Sequence, residues 1–282
     1  MRPLDDYIKS QLNKHLEKIE NILDADAITI ISPILPGLDI RVRDVVEDIK
    51  SKKNALVVIH DTPGGIVEVV ERMVEAIRYF YPKVFFIIPD RAMSAGTIFA
   101  LSGDRILMDF FSCLGPIDPQ IEKDGALVPA LSYLNQFERL NKKAEDGKLT
   151  SAEYALLSKL DLGELYQFAQ ARELSIELLK KWLPKYKFKD WTITEGRKID
   201  VTDKMREDRA EEIAAALNNH ERWHSHGRGI VMKTLIEELN LRIEDYSKIN
   251  GLGLTVREYY ELLRDYIVRE KMSSFVHAKH FF

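Results

Sequence analysis

The chain has 282 residues, of which 45% are hydrophobic and 30% are charged, with a formal net charge of −4. This composition is that of a globular protein with a sizeable core, and its acidic balance argues against general nucleic-acid binding. The single cysteine, Cys113, excludes an internal disulfide and fits a reducing compartment. No apolar run approaches the roughly 20 residues of a membrane-spanning helix, and the charged amino terminus lacks a signal-peptide core. We therefore expect a soluble, cytoplasmic protein without an integral membrane segment.

The amino-terminal part predicts a helix followed by alternating strands and helices. Apolar residues at spacings of three and four predict an amphipathic helix over 4–24. The β-branched run Ala27–Ser32 predicts the first strand, and a helix is expected over about 39–50. Regular alternation of this kind predicts an α/β fold with a parallel sheet and right-handed crossovers.

Two strand–turn–helix units follow, and they are the centre of the functional prediction. Apolar runs beginning at Ala55 and Val84 predict buried parallel strands. Each turns sharply into a helix, at Ile66–Phe80 and Ser94–Leu101. Parallel strands bring such turns together at their carboxyl ends. The sequence therefore predicts that glycines of the first turn face Ser94 across a crevice.

The rest of the chain predicts mainly helices. A short strand is expected at Arg105–Met108 and a turn at Glu122–Gly125. The expected helices are Tyr133–Lys143, Thr150–Leu160, Leu162–Leu183, Lys204–Leu217, Met232–Leu239 and 255–272. Thr150 opens a capping box, and Thr255 is expected to cap the last helix. The tail Phe275–Phe282 is expected to be exposed, either free or docked on a neighbouring subunit.

These patterns divide the chain into five segments. They are an amino-terminal helix (1–26), an α/β core (27–128), a helical insertion (129–217), a return segment of the core (218–246) and a carboxyl-terminal helix with a tail (247–282).

A serine at a strand-to-helix turn with glycine amides opposite is the layout of an acyl-transfer site. Ser94 would be the nucleophile, although serine is also a favoured helix N-cap. Gly64 and Gly65 would supply a turn with positive φ, and the amides of Gly65 and Ala95 would bind the oxyanion. We expect Gly65→Ala to fold normally and to lose two to three orders of magnitude in turnover.

The nucleophile needs a base, and several residues are candidates. His60 ends a strand beside the site and is expected to be buried there rather than to act as the base. The cluster His220, His224 and His226 could supply a base, be merely structural or bind a metal. We prefer His226, because the glycines that follow it could bring the backbone close to the crevice. Asp118 is either a turn former or a residue that orients the base.

Three motifs carry a resemblance to a known group: Asp61–Gly65, Arg91–Thr97 and Leu114–Gln120. In this order and spacing they resemble the Clp protease and signal-peptide-peptidase superfamily, and within it the serine dehydrogenase proteinases. The resemblance implies the ClpP/crotonase-like spiral of ββα units, here with a helical insertion and helical ends, and assembly into a homo-oligomer.

The resemblance also indicates candidates for the general base that activates the serine. Clp proteases carry a histidine about 25 residues after the serine, where this chain has Ile117–Pro119. Signal peptide peptidases use a lysine, for which Lys142 and Lys143 would be the candidates. The order Ser, Asp, His of the serine dehydrogenase proteinases suits Ser94, Asp118 and His226. Many members also carry an amino-terminal membrane segment, which we do not find here.

The sequence therefore predicts a serine peptidase that hydrolyses peptide bonds in a peptide or protein substrate, without a cofactor or metal. A crotonase-type acyl-CoA enzyme is one alternative, because it uses the same two-amide oxyanion hole. A catalytically inactive Clp-like scaffold is another.

Overall fold

The computed structural model describes residues 3–50, 52–123 and 126–279. Its centre is a six-stranded sheet in the order β10-β5-β3-β2-β1-β11. The neighbouring strands from β1 to β10 pair in parallel, and β11 pairs antiparallel with β1 at one edge. The strands of this sheet are β1 (Asp26–Ile31), β2 (Ala55–Asp61), β3 (Lys83–Ile87), β5 (Arg105–Met108), β10 (Glu244–Asp245) and β11 (Phe275–Ala278).

Helices cover both faces of this sheet. The longer helices of the described chain are α1 (Pro3–Leu23), α2 (Leu38–Asp48), α3 (Val67–Phe80), α5 (Ala130–Glu145), α7 (Leu162–Trp182), α8 (Asp203–Asn218) and α11 (Leu252–Arg269). The shorter ones are α4 (Ala95–Leu101), α6 (Ser151–Leu157), α9 (His220–Trp223) and α10 (Met232–Glu237). A π-helical turn at Leu183–Lys187 extends α7, and a 3₁₀ turn at Tyr246–Lys248 follows β10.

Alternate side chains of β2 belong to two different cores. Leu56 and Val58 pack in the core with α2, α3, α4, α7 and α8, whereas Val57 and Ile59 pack in the core with α1 and α11. All seven residues of β2 are buried, as expected for a central parallel strand covered on both faces. Because α2, α3 and α4 lie on one face and β1, β2, β3 and β5 are neighbours in chain order, the three crossovers all have the same hand.

Two smaller sheets lie beyond the carboxyl ends of the central strands. The first joins β4 (Arg91–Ala92), β6 (Cys113–Leu114) and β9 (Ile230–Val231). β4 pairs parallel with β6, and β6 pairs antiparallel with β9. The second is the hairpin of β7 (Gln120–Lys123) and β8 (Ala126–Pro129), which leads into α5. The sequence did not predict β4, β6, β7 or β8, and part of the turn expected at Glu122–Gly125 lies outside the described residues.

The tail expectation was wrong for the part that the structure describes. Phe275–Ala278 is buried and pairs with β1, with Val276 opposite Ile30. The strand therefore completes the edge of its own sheet rather than standing exposed. The capping expectation for Thr255 was also wrong, because Gly251 occupies the N-cap of α11 and Thr255 lies within the helix.

The longest helices are too polar to cross a membrane. Within the described residues, no helix combines the length and the apolar character that a membrane span needs.

Candidate active site

Ser94 stands in a strained turn between β4 and α4. Its φ of 52° and ψ of −119° lie where residues other than glycine are rare, and its side chain makes no capping hydrogen bond to the helix. Such a conformation costs about 1–3 kcal/mol and persists only where the surroundings enforce it. The helix-cap interpretation of Ser94 therefore has no support in the geometry, whereas a strained turn is typical of a residue held for chemistry.

The glycine turn packs directly against this serine. A Cβ added to Gly64 would lie 2.9 Å from the Ser94 Cβ and 2.9 Å from the Met93 carbonyl oxygen. Gly64 has a φ of 107°, so it needs glycine for its conformation as well as for this close approach. The structure thus brings the two predicted turns together.

The direction of the Gly65 amide follows from its bridge to Ile34. The Ile34 amide donates to the Gly64 carbonyl oxygen and the Ile34 carbonyl oxygen accepts from the Ile66 amide, both at 2.9 Å. Ile34 thus bonds to the residues on either side of Gly65. In a parallel bridge of this kind, the middle residue points its own amide away from the partner strand. The Gly65 amide therefore points away from Ile34.

The amides of Gly65 and Ala95, which are the predicted oxyanion donors, differ from the Gly64 amide in whether they have a hydrogen-bond acceptor. The Gly64 amide donates to the Thr62 hydroxyl at 3.1 Å and is therefore engaged. Among the described residues, no acceptor bonds to the amide of Gly65 or of Ala95. Ala95 is the first residue of α4, where the amide has no partner inside the helix.

A second set of site residues is brought together by the small sheet. β6 and β9 pair antiparallel, with Leu114 opposite Ile230. From this pair the chain runs four residues forward to Asp118 and four residues back to His226, which lies in a turn. Their side chains meet there, and the His226 Nδ1 lies 2.9 Å from the Asp118 Oδ1. Because a carboxylate only accepts, Nδ1 carries the proton and Nε2 is left as an acceptor.

Glycine at position 229 allows the close approach of these strands. A Cβ added to Gly229 would lie 2.9 Å from the Cys113 Sγ. His226 was preferred because the glycines that follow it could bring the backbone close to the crevice; Gly229 approaches Cys113, so this expectation stays a prediction.

Asp118 is fully buried and has further neighbours. The Gln120 Nε2 donates to its Oδ2 at 3.2 Å, and the His220 Nδ1 lies 3.3 Å from the same oxygen. A backbone bond from the Ile117 amide to the Leu217 carbonyl oxygen, at 3.1 Å, holds the end of α8 beside Asp118. Gln120 is the last residue of the motif Leu114–Gln120, and no role was predicted for it from the sequence.

Thr97 links the two parts of the site, although the sequence marked it only as part of the motif Arg91–Thr97. Its hydroxyl lies 2.7 Å from the Ala92 carbonyl oxygen and accepts a hydrogen bond from the Gly115 amide at 2.9 Å. Thr97 thereby joins the segment that leads to Ser94 with the segment that leads to Asp118. A threonine inside a short apolar helix was the signal for this role.

The other candidate bases are placed less favourably. His224 is exposed in a left-handed turn and makes no hydrogen bond to Asp118. Lys142 is exposed, and the Lys143 ammonium is paired with Glu153 at 2.6 Å. Helix α5 begins beside Pro119, whose carbonyl oxygen accepts from the Ala130 amide. Lys142 and Lys143 therefore lie about 18–20 Å along the helix from that end.

His60 is fully buried behind the site, as the sequence analysis expected. Its Nδ1 lies 3.2 Å from the Ile30 carbonyl oxygen, and its ring meets the Phe99 ring edge-on. Burial lowers the pKa of His60 to about 4, so the ring is neutral at pH 7. A Cβ added to Gly96 would lie 3.3 Å from its Nε2, which places His60 under α4.

A cavity of about 410 Å³ lies beside α11 and is separate from these residues. It is lined by Asp90, Asp109, Phe110, Phe111, Tyr260 and Arg264, among others. Neither Ser94 nor Asp118 nor His226 lines it, so the chemistry described above does not depend on it.

Comparison with known proteins gives a family and two curated relatives. The family model described as ClpP-like SDH-type serine proteinase matches residues 33–199, which is more than half of the chain. The uncharacterized proteins MJ1495 and MJ0137 of Methanocaldococcus jannaschii are 29% identical over 214 residues and 31% identical over 172 residues. These matches cover 74% and 55% of this chain, and 56% and 58% of the relatives. The chain thus spans little more than half the length of the curated relatives it matches.

Among solved structures, the similarity is more distant. A serine-to-alanine mutant of the 1510-N membrane-bound stomatin-specific protease is 13% identical, with a TM-score of 0.46, and the match covers 81% of this chain and 82% of that one. A ClpP1 mutant from Listeria monocytogenes is 19% identical, with a TM-score of 0.32, and the match covers 53% of this chain and 90% of that one. Likenesses at this level assign neither a residue nor a substrate.

Proposed function

Because the chain belongs to the family of ClpP-like SDH-type serine proteinases, we propose that it is a serine peptidase that hydrolyses peptide bonds through Ser94. The observation that carries this proposal is the 2.9 Å contact between Asp118 and His226, which are 108 residues apart in the chain. It supplies an oriented imidazole in the same protein that holds a serine in a strained turn against glycines.

In the proposed reaction the Ser94 hydroxyl attacks the carbonyl carbon of the scissile peptide bond. His226 accepts the hydroxyl proton at Nε2 and later gives it to the leaving amine. The carbonyl oxygen becomes an oxyanion, to which the amides of Gly65 and Ala95 donate. Water then attacks the acyl-enzyme by the same route and releases Ser94.

Asp118 has an orienting and electrostatic role in this scheme. By accepting from Nδ1 it fixes the tautomer that leaves Nε2 basic, and its negative charge stabilises the imidazolium that forms. Its complete burial strengthens that interaction, because water does not screen it.

Labelling with a fluorophosphonate probe tests the nucleophile and the base together. We expect the wild-type protein to be labelled at Ser94 and Ser94→Ala and His226→Ala not to be labelled. Asp118→Asn should label about four orders of magnitude more slowly, because it misplaces the imidazole. Lys142→Ala and Lys143→Ala should label like the wild type, and thermal unfolding should show that each variant is folded.

Other outcomes would favour the alternatives. Loss of labelling in a lysine variant with full labelling of His226→Ala would replace the histidine with a lysine base. A wild-type protein that is not labelled but retains coenzyme A would favour a crotonase-type enzyme. A wild-type protein that is not labelled and does not retain coenzyme A would favour an inactive scaffold. We also propose that the chain forms a homo-oligomer and acts on a peptide or protein substrate in the cytoplasm.

A further inference from the structure

The buried carboxylate of Asp118 faces two imidazoles rather than one. Its Oδ1 accepts a hydrogen bond from the His226 Nδ1 at 2.9 Å, and its Oδ2 lies 3.3 Å from the His220 Nδ1. Gln120 donates to the same Oδ2 at 3.2 Å. The two carboxylate oxygens therefore have separate sets of neighbours, one set on each side.

His220 is close to Asp118 without a well-formed hydrogen bond. Its Nδ1 is buried and has no aligned partner among the described residues, although the distance to Oδ2 is short. An unpartnered buried polar atom costs free energy, and a carboxylate oxygen can accept more than one donor. A small rotation of the imidazole would satisfy both groups at once.

The position of His220 is fixed by elements that converge on Asp118. It is the first residue of α9, and the Asn219 side chain caps that helix by accepting from the Arg222 amide. The preceding helix α8 is held by the bond from the Ile117 amide to the Leu217 carbonyl oxygen. His220 thus approaches Asp118 from the side of α8, whereas His226 arrives on the return segment before β9.

We propose that His220 is a positioning residue, which donates from Nδ1 to the Asp118 Oδ2 and so keeps Oδ1 aimed at His226. The proposal rests on the serine-peptidase function proposed above and assigns His220 a role distinct from that of a base. With Oδ2 held by His220 and Gln120, the carboxylate cannot turn about its Cβ–Cγ bond when His226 gains a proton. The imidazole then keeps Nε2 directed at the serine throughout the reaction.

Two substitutions at His220 separate the loss of the hydrogen-bond donor from the loss of side-chain volume. His220→Ala removes the donor, whereas His220→Asn keeps an N–H group near the position of Nδ1. With a fluorophosphonate probe, we expect His220→Ala to lower the maximal rate of Ser94 labelling about tenfold to hundredfold. The probe concentration at half-maximal rate should not change, and His220→Asn should restore the rate to within about threefold. Glu221→Ala, which alters an exposed neighbour in α9, should label like the wild type.

The tautomer of His226 gives a readout that does not need catalysis. Imidazole ¹⁵N shifts distinguish a proton on Nδ1 from one on Nε2. We expect the Nδ1–H form in the wild type and in His220→Asn, and a mixture of both forms in His220→Ala.

The outcomes are decisive in either direction. Unchanged labelling and an unchanged His226 tautomer in His220→Ala would overturn the positioning role. Failure of His220→Asn to restore either readout would show that the imidazole is needed only for packing and would overturn it as well. If the wild type is not labelled at all, the peptidase proposal fails, while the tautomer comparison still decides whether His220 positions Asp118 and His226.

Discussion

At the scale of single residues, Gly65 has a structural role in its turn beside the oxyanion role proposed for its amide. A Cβ added to Gly65 would lie 2.1 Å from the Ile34 carbonyl oxygen, which belongs to the backbone and cannot move aside. That oxygen also accepts the bond from Ile66 that fixes the turn. The expectation that Gly65→Ala folds normally is therefore revised. The added Cβ would disrupt the bridge to Ile34 as well as displace the Gly65 amide.

Gly65→Ala should lose stability as well as Ser94 labelling. The added Cβ would crowd the bridge and would be strained at a φ of 150°. Together these effects should lower the free energy of unfolding by about 3 kcal/mol and the melting temperature by roughly 5–10 °C. Gly147→Ala is the matched control, because Gly147 also has a positive φ but a Cβ there would have no neighbour within 4 Å. Equal melting temperatures for the two variants would contradict the bridge.

At the scale of elements, β11 shows how an apparent tail becomes part of the sheet. Its four residues are all buried and pair with β1, whose other side already pairs with β2. Without β11, β1 would be an open edge with unpaired amides and carbonyls, which promotes aggregation. The strand therefore covers β1 within one subunit and becomes the edge of the sheet itself.

A charge introduced into β11 tests this placement. Val276→Asp puts an unpaired carboxylate where the side chain is 1% exposed, which should cost more than about 4 kcal/mol in the free energy of unfolding. Lys279→Ala removes only a surface ion pair with Glu17 and should cost at most about 1 kcal/mol. Urea titrations measure both costs, and similar values for the two variants would mean that β11 is not docked in solution.

At the scale of the whole molecule, two buried histidines couple stability to pH. Burial lowers the pKa of both His60 and His277 to about 4. The His277 Nδ1 lies 2.8 Å from the Tyr259 hydroxyl and its Nε2 lies 2.9 Å from the Asn13 Oδ1, which satisfies a neutral ring. Between pH 6.5 and about 4 the unfolded chain therefore binds protons at these positions that the folded chain does not bind.

The folded protein should accordingly lose stability as the pH falls. Each histidine should contribute a loss of about 2 kcal/mol in the free energy of unfolding between pH 7 and pH 5. His277→Gln removes one of the two titrating groups, so its loss over this range should be about 2 kcal/mol smaller. Urea unfolding at pH 7, 6 and 5 measures the difference, and equal pH dependence in the wild type and the variant would contradict the assignment to His277.

The sequence by itself determined the α/β alternation, most helix positions and the turns that carry Gly65 and Ser94, because apolar periodicity and glycine act locally. It could only offer several bases for the serine, since His220, His224 and His226 stand in one short polar segment. The tertiary structure separated them: His226, in the turn before β9, meets one oxygen of Asp118, His220 at the start of α9 lies near the other oxygen, and His224 stays exposed. Strands of two residues leave no periodic pattern, and a contact across 108 residues depends on how the strands pair rather than on the residues beside it.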